Sequence, residues 1–130
     1  MRSAAMSMSA ETPWRVLFVA WVAAVAVLSV LPPPDMPPTF GLADYFQHGL
    51  AYIAGGVCAV MGWTRPRPGA LAALGAIALG GALEIIQLTL IPGRSGEWHD
   101  FAADVLGVAA GAAMVALSQR LGRRRRFTEP

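Results

Sequence analysis

Ionisable residues at helical spacing interrupt the apolar stretches of this 130-residue chain. Asp44, His48 and Tyr52 follow one another at intervals of four, which aligns them along one stripe of a helix. A histidine close to a carboxylate has the residue types of a general base, and such a pair also hydrogen-bonds polar ligands. This first stripe therefore predicts a site for proton transfer or for ligand binding.

Two further pairs share helix faces later in the chain. Glu84 and Gln87 are three residues apart, and Asp100 and Asp104 are four residues apart. Arg94 lies between the pairs, and its guanidinium is suited to bind carboxylates or an anionic ligand group. We expect these residues to complete the site begun by the first stripe.

The elements that must position these residues are long and apolar. The chain is 55% hydrophobic and 14% charged, against roughly a quarter charged in soluble domains. A membrane helix needs about 20 mostly apolar residues, and proline-rich or Pro-Gly breaks separate four candidate spans: 14–31, 44–63, 69–91 and 101–121. The sequence thus predicts an all-α integral membrane protein, a compact bundle of four transmembrane helices. The predicted parts are an N-terminal segment (1–13), a transmembrane domain (14–121) and an Arg-rich tail (122–130).

The arginines predict the orientation of the spans. They lie before or at the start of the first span, between the second and third, and at or after the end of the fourth: Arg2, Arg15, Arg65, Arg67, Arg120 and Arg123 to Arg126. Because cytoplasmic loops carry the excess of basic residues, both termini should be cytoplasmic in an inner (plasma) membrane. Loops 32–43, with Asp35, and 92–100 should face outward. A basic tail beside a span indicates anchoring on anionic lipid, so no nucleic-acid partner is expected.

This orientation brings the polar residues of three spans to one depth. Glu84 should lie about 10 Å below the outer end of its span, and His48 and Asp104 about 6 Å below theirs. A carboxylate within a span costs roughly 2.5–3.5 kcal/mol, and such groups usually face an interior or a wet cavity. We therefore expect a polar pocket that opens outward, in which His48 hydrogen-bonds Glu84 or Asp100.

Structural roles stay open for several of these residues. Asp100 is a candidate N-cap of the fourth span, and Asp44 suits the positive end of a helix dipole. Gln87 is a candidate for helix–helix hydrogen bonding, and Tyr52 for packing. The small-xxx-small pair Gly107 and Gly111 predicts close helix packing. The single Cys58 excludes an intrachain disulfide, no metal-ligand set accompanies the carboxylates, and we expect no metal and no cofactor.

In their order, these residues resemble the VanZ-like family of small bacterial membrane proteins. The matching elements cover most of the chain from about residue 14 to residue 118: Asp44, His48 and Tyr52, then Glu84 and Gln87, then Pro92-Gly93-Arg94, then Asp100 with Gly107 and Gly111. The chain departs from the family at Tyr45, where members often carry Lys, and at Asp104, where they often carry Asn. The resemblance implies a cell-envelope function, and the founding name is tied to resistance to the glycopeptide antibiotic teicoplanin.

Three functions remain open, and we expect binding rather than catalysis. The first is the binding or remodelling of a membrane lipid or lipid-linked envelope component at the outer leaflet. The second is an intramembrane hydrolase or transferase in which His48 acts as general base, although Ser29 and Ser95 are the only serines expected near this layer. The third is a purely structural membrane protein. A proton-coupled carrier is disfavoured because the acids do not continue through the inner half of the bundle. The composition is compatible with a homo-oligomer.

Overall fold

The computed structural model describes residues 2–32, 43–94 and 96–128, with side chains between residues 10 and 124. Within these ranges the chain is all-helical, as predicted, and forms four helices: α1 (Arg2–Val30), α2 (Asp44–Gly62), α3 (Pro66–Leu90) and α4 (Trp98–Thr128). Asp35 with most of its proline-rich loop, and Ser95, lie outside the described residues.

The first and last helices, α1 and α4, extend beyond the predicted spans. α1 begins at Arg2 and includes Pro13, and α4 continues through the Arg-rich segment to Thr128. α3 begins at Pro66, in keeping with the preference for proline at the first helical positions, where a missing N–H removes no helical bond. The turn between α3 and α4 depends on Gly93, whose φ of 79° is readily adopted by glycine.

Within the part of the chain that the structure describes, three helical stretches are long and apolar enough to cross a membrane: Ala10–Val30, Pro66–Leu90 and Trp98–Arg124. These helices indicate a protein embedded in a membrane. The second predicted span, α2, does not meet the same criterion although it has 19 residues, because Asp44, Gln47 and His48 in its first two turns lower its hydropathy. Its buried face is rich in small residues and lies against the neighbouring helices.

The tightest packing in the bundle joins α2 to α4. A Cβ atom at Gly107 would lie 2.5 Å from the carbonyl oxygen of Gly49, and one at Gly111 would collide with the carbonyl of Ile53. Gly56 of α2 lies equally close to the carbonyl of Val108. Such small residues let two helix backbones approach closely enough to gain dispersion energy where lipid provides no hydrophobic drive.

α1 packs against the other side of α2 through Trp21. The Trp21 indole N–H donates to the Ala51 carbonyl oxygen at 2.8 Å, and its ring meets the Tyr52 ring edge-on at 5.1 Å. A Cβ atom at Gly55 would lie 2.5 Å from the Trp21 ring, so only glycine leaves room for this indole. Trp21 thereby fixes the position of Tyr52, one of the predicted site residues.

Candidate functional site

The centre of the site is a contact between His48 of α2 and Asp104 of α4. The His48 Nδ1 lies 2.9 Å from the Asp104 Oδ1, where an Nδ1–H donates to the carboxylate. Asp104 is 1% exposed, and Tyr52 stacks parallel to the His48 ring with 6.5 Å between the ring centroids. The expected partner of His48 was Glu84 or Asp100, so the hydrogen bond to Asp104 corrects that expectation.

Glu84 of α3 closes the site from the opposite direction. Its Oε2 accepts a hydrogen bond of 2.8 Å from the Glu97 backbone N–H, which holds the carboxylate in place. Its Oε1 lies 3.8 Å from the His48 Nδ1, within ion-pair distance. We call His48, Glu84 and Asp104 the His48 cluster, and one donor atom from each lies within 4.8 Å of the others.

The directions of the helices explain why Asp104, and not Asp100, meets His48. α2 and α4 run in the same direction, since Gly49 lies near Ala103 and Ile53 lies beside Gly111. His48 is about one turn into α2, and Asp104 is nearly two turns beyond the start of α4. Parallel packing brings both side chains to the same depth, as the sequence predicted, and leaves Asp100 about one turn nearer the start of α4.

One buried oxygen of the His48 cluster has no hydrogen-bond partner among the described residues. This oxygen is the buried Asp104 Oδ2. A Cβ atom built on Gly80 would lie 2.5 Å from this oxygen and 3.1 Å from the Tyr52 hydroxyl. A buried polar atom without a partner costs free energy, and native proteins rarely retain one without a reason. The Gly80 backbone thus leaves space around a carboxylate oxygen that the protein itself does not satisfy.

Gln87 and Arg94 act away from the His48 cluster. The Gln87 Nε2 donates to the Ser29 carbonyl oxygen at 3.1 Å, and the Arg94 Nη1 donates to the carbonyl oxygens of Leu28 and Leu31 at 3.3 and 3.4 Å. These carbonyls lie at the C-terminal end of α1, where helices leave oxygens unpaired and where a cation is favoured. Both residues therefore tie α1 to the α3–α4 hairpin, a role that the sequence did not predict for Arg94.

The remaining predicted acids occupy two different environments. Asp44 is exposed in the first turn of α2, and its Oδ1 accepts a hydrogen bond of 3.3 Å from Gln47. Asp100 is buried at the start of α4. Because α4 begins at Trp98, Asp100 lies in the first turn rather than at the N-cap, so the N-cap interpretation was wrong. Asp100 adds negative charge at the favourable end of the helix dipole, close to the His48 cluster.

A second buried polar group, at the other end of α2, escaped the sequence analysis. Glu11 is 7% exposed; its Oε1 accepts hydrogen bonds from the backbone N–H and hydroxyl of Thr64, and its Oε2 pairs with Arg15 at 2.5 Å. Arg15 also donates to the Gly62 carbonyl oxygen at 2.7 Å and lies over the Trp63 ring. We call Glu11, Arg15 and Thr64 the Glu11 network. The signal available was the i, i+4 spacing of Glu11 and Arg15.

Chemically, the His48 cluster combines an oriented imidazole with an excess of carboxylate. Two carboxylates face one histidine, so even the imidazolium form leaves the cluster net negative. Such a site accepts hydrogen bonds from a ligand, binds a cation, or holds the imidazole as a base. Comparisons with protein-family models, with curated proteins and with solved structures gave no match.

Proposed function

We propose that this chain is a four-span, VanZ-like protein of the bacterial cell envelope that binds the polar end of an amphiphilic envelope component at the His48 cluster. The observation that carries the proposal is the buried Asp104 Oδ2, which has no partner among the described residues. It lies in a cluster that three helices build at one end of the bundle. A ligand that donates to this oxygen would remove the cost of leaving it unpaired.

The proposed topology has both termini in the cytoplasm and the His48 cluster toward the outside. Arg65 and Arg67 lie at the start of α3, at the opposite end of α2 from His48, and Arg123 and Arg124 lie near the end of α4. This distribution of arginine supports a cytoplasmic location for those ends. In this topology α2 also spans the membrane, with its polar first turns covered by α3 and α4 and its site open to the outer leaflet.

The charge of the His48 cluster indicates the class of ligand. Glu84 and Asp104 face His48 and Asp100 lies close by, so an anionic headgroup would be repelled. Carboxylates accept hydrogen bonds and donate none, which suits hydroxyl or amine groups of the ligand. We infer an amphiphile with such a head, including lipid-linked glycans and lipoglycopeptides, whose apolar part stays in the outer leaflet.

One observation favours an intramembrane hydrolase or transferase as the second candidate. The 2.9 Å contact from the His48 Nδ1 to Asp104 fixes the ring and its tautomer, which is the arrangement that prepares the other ring nitrogen as a general base. In this alternative, activated water or a hydroxyl of the acceptor is the nucleophile. Catalysis would convert the amphiphile, whereas binding would leave it unchanged.

Lipid extraction separates the two functions. Envelope lipids would be compared between a deletion strain, an overexpressing strain and strains carrying Asp104→Asn or Glu84→Gln, with the exposed His99→Gln as matched control. Binding predicts an unaltered set of chemical species and an amphiphile that copurifies with the wild type and His99→Gln but not with the other two variants. A new or missing species would establish the enzyme, and copurification with every variant would contradict both.

Topology has its own test. A reporter fused at residue 38 should lie outside the membrane, and reporters fused at residues 66 and 128 should lie in the cytoplasm. An outside location for residue 128 would contradict the outward site, because it would invert the bundle.

A further inference from the structure

The donor atoms of the His48 cluster have the spacing of a metal centre. Zinc lies about 2.0–2.2 Å from nitrogen and carboxylate ligands, so two ligands of one tetrahedral ion lie about 3.4 Å apart. The His48 Nδ1 is 2.9 Å from the Asp104 Oδ1 and 3.8 Å from the Glu84 Oε1, on either side of that value. Small side-chain rotations are enough to surround one ion.

The cluster is also held in place as metal ligands usually are. The Glu97 backbone N–H fixes the Glu84 Oε2, which leaves the Oε1 directed toward His48. Tyr52 stacks on the His48 ring, and Trp21 in turn packs against Tyr52. Outer partners of this kind orient ligands and are a regular part of metal sites.

An internal ion pair accounts for only part of this geometry. A protonated His48 satisfies the Asp104 Oδ1, yet the Oδ2 of the same carboxylate stays buried with no partner among the described residues. The pair also leaves an unneutralised carboxylate, with Asp100 close by. A divalent cation would neutralise both carboxylates and bind the Asp104 carboxylate in either its one-oxygen or its two-oxygen mode.

We propose that His48, Glu84 and Asp104 bind a divalent first-row transition-metal ion, an inference that rests on the proposed ligand site and deepens it. One imidazole and two carboxylates suit Zn²⁺ or Mn²⁺ better than Mg²⁺ or Ca²⁺, which prefer oxygen ligands alone. Three protein ligands leave a position open, as in catalytic zinc sites rather than structural ones. The hydroxyl or amine of the amphiphile would occupy that position.

Zinc binding by the full chain tests the proposal. The protein in detergent would be stripped with a chelator and titrated with Zn²⁺ by equilibrium dialysis, with bound metal counted by mass spectrometry. We expect one equivalent in the wild type and in the control His99→Gln. Asp104→Asn and His48→Gln should bind zinc more weakly. Loss of a residue that only supports a metal ligand weakens metal binding roughly tenfold to hundredfold, and loss of a ligand itself should weaken it by at least as much. Excess Mg²⁺ or Ca²⁺ should not displace the zinc.

Several results would overturn the proposal: no retained equivalent in the wild type, equal affinity in Asp104→Asn, or displacement by Mg²⁺. Visible absorption of Co²⁺ in the wild type and in Asp104→Asn decides the matter if His48→Gln does not fold, because ligand-field bands report bound nitrogen and oxygen donors. Copurification of the amphiphile, measured separately after chelation, keeps the two proposals apart. A wild type that binds no zinc while Asp104→Asn still loses the amphiphile would refute the metal alone.

Discussion

Buried carboxylates lie at both ends of α2: Glu11 against the loop that follows the helix, and Asp104 against its first turns. In the Glu11 network both carboxylate oxygens have partners, two donors from Thr64 and one from Arg15. In the His48 cluster the Asp104 Oδ1 has a partner, and the buried Asp104 Oδ2 has none among the described residues. The two ends therefore use the same chemical group in different ways.

The difference lies in the balance of charge. Glu11 faces one arginine, so the network is neutral and closes upon itself, joining α1 to the α2–α3 connection. The His48 cluster sets two carboxylates against one histidine and is left short of positive charge and of donors. A satisfied network holds a fold together, whereas an unsatisfied one is the kind of place where a ligand or a cation belongs.

The largest effect is expected from His48→Ala. It removes the only positive partner that the two buried carboxylates have among the described residues. Breaking a buried pair in this way typically costs about 3–5 kcal/mol. Denaturant unfolding of the chelator-treated protein in detergent micelles measures the change. An unchanged free energy of unfolding would mean that the carboxylates are already neutral or hydrated. The His48 cluster would then not differ from the Glu11 network in its balance of charge.

Glu11→Ala should come next, with an effect on the fold alone. It removes the acceptor of both Thr64 donors and the partner of Arg15, so the thermal midpoint should fall. The exposed Asp44→Asn provides a control with little expected shift. Amphiphile binding per folded molecule should stay at the wild-type level, and a specific loss of binding would show that the two ends are coupled.

Asp104→Asn should reverse the pattern seen at Glu11. The amide keeps the shape and an acceptor for His48 while removing one of the excess charges, so the free energy of unfolding should stay within about 1 kcal/mol of the wild type. Copurification of the amphiphile should be lost, and zinc should bind at least about tenfold more weakly. A strong loss of stability with binding retained would identify Asp104 as part of a structural network like that of Glu11.

The smallest effects should come from two glycines on α3. A Cβ atom at Gly80 would lie 2.5 Å from the Asp104 Oδ2, so Gly80→Ala should displace the carboxylate and weaken binding. Gly75 has nothing within 4 Å of its Cβ position, so Gly75→Ala should be neutral or stabilise the helix by up to about 1 kcal/mol. Parallel binding and unfolding measurements on the pair test whether the space beside Asp104 matters.

The sequence predicted much of the fold, since hydropathy and the Pro and Gly breaks depend on local composition. The starts of α2 and α3 and the turn at Gly93 fall at or within a few residues of their predicted places. Glu84 lies at ion-pair distance from His48, but the hydrogen-bonding partner is Asp104 and not Glu84 or Asp100 as predicted. The choice between Asp100 and Asp104 depends on the position of α4 along α2, which the sequence of either helix does not show. The Glu11 network was missed because Thr64 lies far from Glu11 in the sequence and only folding brings them together.

By itself, the sequence determined that this is an all-helical, membrane-embedded chain and that Asp44, His48, Glu84, Asp100 and Asp104 are its unusual polar residues. Those conclusions follow from hydropathy and helical periodicity, which are properties of single segments. Only the tertiary structure decided that Gln87 and Arg94 bind the end of α1, that Asp104 meets His48, and that the Asp104 Oδ2 lacks a partner among the described residues. The relative depth of packed helices is set by contacts between segments, above all the glycine contacts of α2 with α4, and no single segment encodes it.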